Sequence, residues 1–169
     1  MELEVTSMKN KGFTLIELLI GLAIFSMIIL SMTAIAASVI KSQRKAFSLQ
    51  NVQEASRYIL EAMSKEIRMS TINSGDGSSS TLDITNSAGE TVEYRFEGGA
   101  ERIQRRISGG FWQDVNPANL EVTGRFYVDK IAFPARSVVT VVMKINSKGA
   151  KAEEQAEIYL QSTITPRPY

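Results

Sequence analysis

The chain has no histidine and no cysteine, and that absence first limits the chemistry open to it. Ser-His-Asp and Cys-His nucleophiles are excluded, and carboxylates are left as the available metal-ligand type. Asp76 and Asp83 lie in and just after a glycine- and serine-rich stretch, but two acids without calcium-loop spacing do not make a calcium loop. Gly109-Gly110 alone is no phosphate loop. Basic residues cluster at Arg102, Arg105 and Arg106, with Phe111 and Trp112 nearby, a composition that a nucleic-acid face would use. Alternation along a strand sends Arg105 to the opposite face from Arg102 and Arg106, however. Lys plus Arg at 19 also balances Asp plus Glu at 18, so a solvated strand face is the better reading and nucleic acid is not an expected partner. One loaded stretch remains. Lys11 and Gly12 put a basic residue and a bare backbone side by side, Phe13 follows, and Glu17 sets a carboxylate just inside an apolar run. A carboxylate in the middle of a membrane span costs ~2.5–3.5 kcal/mol on insertion scales and less near an end, so Glu17 requires a reason.

The element that positions these residues is the run 18–40, which has no charge, no proline and one glycine, Gly21. At ~1.5 Å per residue it forms a helix of roughly 35 Å, long enough to cross a bilayer. Lys9 and Lys11 keep the segment before it cytoplasmic by the positive-inside rule, so everything after Ile40 is expected outside. An ordinary secretory signal is the competing reading, with Ala34 to Ala37 standing in for its cleavage site. It leaves Gly12 and Glu17 without a purpose.

The sequence Lys11-Gly12-Phe13-Thr14-Leu15-Ile16-Glu17, followed by the apolar run, resembles the processing site of type IV prepilins and type II secretion pseudopilins. The resemblance covers about the first 40 residues and is specific. It implies cleavage between Gly12 and Phe13 by a prepilin peptidase, N-methylation of the Phe13 amine by the same enzyme, and a role in assembly for Glu17. In that family the Glu17 carboxylate meets the amine of a neighbouring subunit. The implied partners are the peptidase/N-methyltransferase, other pilins or pseudopilins in a helical filament, an inner-membrane assembly platform and the lipid bilayer. The implied location is the cytoplasmic membrane, then a filament in the periplasm or at the cell surface.

Past the run, Lys41 to Lys45 mark the membrane exit, yet no proline or glycine occurs until Gly75. Val52, Ala55, Ile59, Leu60, Met63 and Ile67 fall at helical spacing, with charges elsewhere on the wheel. One continuous helix of roughly 60 residues, from Phe13 to about Thr71, is therefore expected, its second half docking on a sheet. Residues 72–80 read as a flexible connector. Beyond it the period becomes two: Leu82 and Ile84; Val92, Tyr94 and Phe96; Ile103, Arg105 and Ile107; Leu120, Val122, Phe126 and Val128. Turns are expected at 87–90 and 108–110, and Gly124 is a candidate bulge. The stretch 138–142 is apolar on both faces, as a central strand would be, and 157–164 closes the set before an extended tail.

These patterns give an α+β, pilin-like fold: a long N-terminal helix, transmembrane in its first half and amphipathic in its second, packed on a mostly antiparallel β-rich head. The expected organisation is a leader at 1–12, a transmembrane and polymerisation helix at 13–40, an amphipathic helix half at 41–72 and a β-rich head at 73–169. The leading function is a structural filament subunit, not an enzyme, with no cofactor and no metal site. The alternatives are a major pilin, a DNA-uptake pilin, and an enzyme or binding domain on a membrane anchor. The late-helix segment 56–68, the strand Val92-Glu93-Tyr94-Arg95-Phe96 followed by Ile103-Gln104-Arg105, and the closing 160–167 also resemble the J-type minor pseudopilins and their minor-pilin counterparts. That resemblance implies a minor subunit near a filament tip, and Glu17 argues against the outermost, K-type subunit, which lacks this acid.

Overall fold

The structure, a computed structural model, describes residues 12–131, 136–148 and 155–167. It divides into two compact units, Met1–Lys41 and Ser42–Tyr169. A single 54-residue helix, α1 (Leu15–Arg68), contributes to both. Most of the leader, Lys11 included, lies outside the described residues.

In the first unit α1 is a bare helix. Its large side chains from Leu15 to Ile40 are all exposed, Leu30 by 70 %. An 18-residue window of α1 reaches a mean hydropathy of 2.5 with none of that window buried. Length and composition suffice to cross a membrane.

In the second unit the same helix becomes amphipathic, and it buries Val52, Ala55, Ser56, Ile59, Met63 and Ile67. The expected stripe is present, with Leu60 half-buried at its margin. Ser56 is tolerated in it because its hydroxyl donates to the Val52 carbonyl one turn back. The helix ends without glycine or proline. Its last carbonyls find other partners: Glu66 O accepts from Met69 N at 3.1 Å and from Ser70 Oγ at 2.6 Å, and Arg68 O accepts from Arg167 N at 3.0 Å.

Two antiparallel sheets complete this unit. The first joins β1 (Thr71–Ile72), β3 (Thr81–Thr85), β4 (Thr91–Glu97), β5 (Arg102–Ile107) and β6 (Gln113–Asp114) in the order β1-β3-β4-β5-β6. The second joins β2 (Gly77–Ser79), β7 (Leu120–Ile131), β8 (Arg136–Ser147) and β9 (Glu157–Ile164) in the order β2-β7-β8-β9. Period-two burial holds for Leu82 and Ile84, Val92, Tyr94 and Phe96, and Leu120, Val122, Phe126 and Val128, which all point inward, but it fails in β5, where Ile103 and Gln104 are buried side by side and Ile107 is exposed. β8 is central to its sheet, as its valines suggested. Its buried apolar residues are Val139, Val141, Met143 and Ile145, while Val138 is half-buried and Val142 exposed. One hydrophobic cluster links the helix stripe to both sheets, and Phe96 meets Phe126 across them with ring centroids 4.8 Å apart.

Two expectations are corrected. Residues 72–80 do more than connect, because Ile72 pairs with Ile84 and residues 77–79 pair with 126–128, which adds a short strand to one edge of each sheet. The helix accordingly stops three residues short of Thr71. Gly124 is no bulge: β7 and β8 pair in unbroken register from Leu120↔Ser147 to Ile131↔Arg136. A side chain at 124 would lie 2.5 Å from the Val142 carbonyl and 2.8 Å from the Phe96 ring. Glycine is required there because the neighbouring sheet's aromatic sits on its Cα.

Candidate processing and assembly segment

Residues 12–14 are exposed and non-helical, and the helix begins at Leu15. Thr14 provides the start. Its carbonyl accepts the first helical bond, from Leu18 N at 3.2 Å, and its Oγ1 accepts from Glu17 N at 3.3 Å. A threonine in this position satisfies one of the orphan N–H groups of the first turn. Glu17 falls at the third helical position, where a negative charge is favoured by the helix dipole. No ion pair among the described residues engages it.

Gly12 has open space where a Cβ would stand and no left-handed backbone angle. The fold of this chain does not demand glycine at that position. Phe13 is 82 % exposed.

Further along the apolar helix, three hydroxyls are satisfied inside the helix. Ser26 Oγ donates to Leu22 O at 2.8 Å, Ser31 Oγ to Met27 O at 2.9 Å and Thr33 Oγ1 to Ile29 O at 2.9 Å. Bonds of this kind spare those hydroxyls an unpaired exposure to lipid. Glu17 is the only charged residue of α1 before Lys41.

In the second unit the arginine cluster is committed internally. Arg102 pairs with Glu97 at 2.7 Å and Asp114 at 3.0 Å, Arg106 with Glu93 at 2.6 Å, and Arg105 with Glu66 at 2.5 Å. Arg105 does lie on the opposite face from the other two, as β4–β5 register dictates. Trp112 lies over both Arg95 and Arg106, with guanidinium carbons 4.1 and 4.4 Å from the ring centroid. The buried Nε of Arg106 has no hydrogen-bond partner, and the ring's π face supplies the compensating contact.

On the inner side Glu66 receives both Nε and a terminal nitrogen of Arg105, at 2.9 and 2.5 Å, together with the Tyr94 hydroxyl. Burial pushes the Glu66 carboxyl up, but the Arg105 and Tyr94 hydrogen bonds and the Arg105 charge outweigh it and hold the group below the usual carboxylate range. Burial, then the hydrogen bond to Glu66 and its charge, push the Tyr94 phenol well above its ordinary value. Such a group is locked ionised at Glu66 and neutral at Tyr94, and it fastens α1 to the first sheet. The helical pattern puts Glu66 only among the charges that fall off the stripe; its position one residue before Ile67, at the margin of the buried stripe, was the available signal.

The two acids considered for calcium serve separate elements. Asp76 Oδ1 accepts from Lys130 N at 3.0 Å, and Asp83 Oδ1 accepts from Asn73 Nδ2 at 3.2 Å.

Compared with known families, residues 7–33 match the model described as the prokaryotic N-terminal methylation motif. No curated protein and no solved structure matches the chain. The motif supports a type IV pilin-like or pseudopilin subunit, and it implies processing by prepilin peptidase and assembly with other pilins. Membrane anchoring through the apolar N-terminal helix fits the same motif.

Proposed function

We propose that this chain is a structural, non-catalytic subunit of a type IV pilus or type II secretion filament. It is inserted with its N-terminus in the cytoplasm and its head outside, cut between Gly12 and Phe13 and methylated on the new Phe13 amine. It is then stacked through α1 on its neighbours above an inner-membrane assembly platform. The observation that carries this reading is the joining of the methylation motif at 7–33 to a helix that exposes every large apolar residue up to Ile40. A helix of that composition needs lipid before assembly and other helices after it. The test is the intact mass of membrane-extracted protein. A mature chain that starts at Phe13 and carries one added methyl group is the expected result; an uncut Met1, or a start after Ala37, defeats the reading.

Within the class the chain is a minor subunit near a filament tip, most similar to J-type pseudopilins or the corresponding minor pilins. Glu17 supports a position that has another subunit above it. A cysteine-free head built on two β-sheets suits a low-copy subunit better than an abundant pilin. Quantitative mass spectrometry of purified filaments should find it far below the main subunit, and finding it as the dominant chain overturns the minor assignment alone.

A further inference from the structure

We infer that Thr14 is a positioning residue for leader cleavage: by capping α1 it holds the Gly12–Phe13 amide outside the helix, in the form a peptidase can accept. The inference rests on the processing site proposed above.

Hydrolysis there adds water across one amide. The C–N bond between Gly12 and Phe13 breaks, the leader leaves with a new Gly12 carboxylate, and Phe13 keeps the nitrogen as its amine. For that to happen the amide must be reached on the backbone. A peptide group inside a helix has its carbonyl engaged four residues ahead and its flanks covered by side chains. Nothing in the composition of this stretch would stop α1 from running backwards through Phe13, which is neither proline nor a turn former. The structure shows what does. Thr14 O takes the first helical hydrogen bond and Thr14 Oγ1 takes Glu17 N, which sets Thr14 as the boundary residue, with a non-helical backbone by the geometry of an N-cap. Thr14-Leu15-Ile16-Glu17 has the spacing of a capping box, but the Glu17 carboxylate makes no return bond to Thr14 N, so the boundary rests on Thr14 itself. The residues left outside are the two that flank the scissile bond.

Gly12 is the second observation. With no neighbour within 4 Å of its would-be Cβ and no left-handed angle, it serves no need of the folded chain. Gly21, Gly75, Gly98 and Gly99 are equally open, so it is the place of Gly12 beside the proposed cut that gives its bare backbone a use, in the close approach of a partner. Thr14 then orients the bond and Gly12 clears the way to it.

The experiment uses the full chain in membranes mixed with membranes that contain a prepilin peptidase, with cleavage followed by intact mass over time. Thr14→Val keeps the shape and the β-branched backbone preference but removes the acceptor. Its initial cleavage rate should fall about fivefold, the loss expected for one N-cap. Thr14→Ser and Thr14→Asn restore an acceptor and should run within about twofold of the original rate. Glu17→Gln, which leaves the Glu17 N–H bond to Thr14 Oγ1 in place, should also be cut normally. Thermal unfolding of the head should be unchanged in all four, so a general folding defect is excluded. Cleavage of Thr14→Val at the original rate overturns the inference, and so does equal slowing of the Val, Ser and Asn variants, which would mean that the enzyme reads the threonine itself. Failure of the unaltered chain to be cut between Gly12 and Phe13 instead removes the processing reading, and this inference with it.

Discussion

The two halves of α1 follow one helical geometry and meet opposite fates. From Leu15 to Ile40 every large apolar side chain is exposed, whereas Val52, Ile59, Met63 and Ile67 are fully buried. The difference lies in what each half lacks. The first half is apolar around its whole circumference, so no single sheet could cover it and only lipid or other helices can. The second has an apolar stripe of limited width, which two sheets cover. The helix teaches that burial inside a subunit and burial between subunits are written in different patterns on one element.

That contrast can be broken by substitution, and the largest effect is expected at Glu17. Glu17→Ala should leave cleavage and head stability intact and reduce incorporation into filaments at least tenfold, because a carboxylate in lipid is tolerable chiefly when it meets an opposite charge. Recovery of the variant from purified filaments in original amounts would refute this.

In the head, Gly124→Val should prevent cooperative folding or destabilise it by about 3 kcal/mol or more, because the new side chain meets the Val142 backbone and the Phe96 ring. Denaturant unfolding of the detergent-solubilised chain measures it.

A matched pair sharpens the contrast along α1 itself. Ile59→Ala should cost the head about 2–5 kcal/mol by leaving a cavity. Ile24→Ala, the same change on the exposed half, should leave head unfolding within about 0.5 kcal/mol of the original.

The Glu66 cluster adds a pH dependence to the stability of the head. Arg105→Ala should cost about 2 kcal/mol at neutral pH, since it removes the strongest partner of a half-buried carboxylate. The Glu66 carboxyl sits lower in the folded chain than in the unfolded one. Its contribution is therefore complete above the ordinary carboxylate value of about 4.3 and is lost as pH falls through the lowered folded value. The Tyr94 phenol sits higher when folded, so its contribution is complete below about pH 10 and is lost as pH rises beyond that. Unfolding measured against pH should show both flanks in the original chain and a weaker acid flank in Arg105→Ala.

The smallest effect is expected at Trp112→Ala, about 1 kcal/mol, from two cation–π contacts on a partly exposed face.

How much of this could be read beforehand depended on distance along the chain. The helical stripe at 52–67 and the inward strand positions were legible because a period of 3.6 or 2 is a local signal, set by backbone geometry. The hairpin at 86–90 was legible for the same reason: Asn86 Oδ1 accepts from Ala88 N at 3.0 Å and Glu90 N at 2.9 Å, a bond pattern built within five residues. Residues 72–80 were misread as a plain connector because the partners that make them strands, Ile84 and residues 126–128, lie as far as 51 positions away.

The sequence alone therefore determined the processing motif around Gly12, Phe13 and Glu17, the apolar run behind it, and the α+β order of a long helix followed by strands. Each is a matter of residue type at short, fixed spacing. Tertiary structure alone decided that Gly124 clears space for Phe96, that Glu66 is gripped by Arg105 and Tyr94, and that Trp112 lies across Arg95 and Arg106. The first needs the two sheets to meet, the second needs the helix to reach the first sheet, and the third needs the turn before β6 to fold over β4 and β5; a side chain's partner across such a junction is fixed by packing, not by its neighbours in the chain.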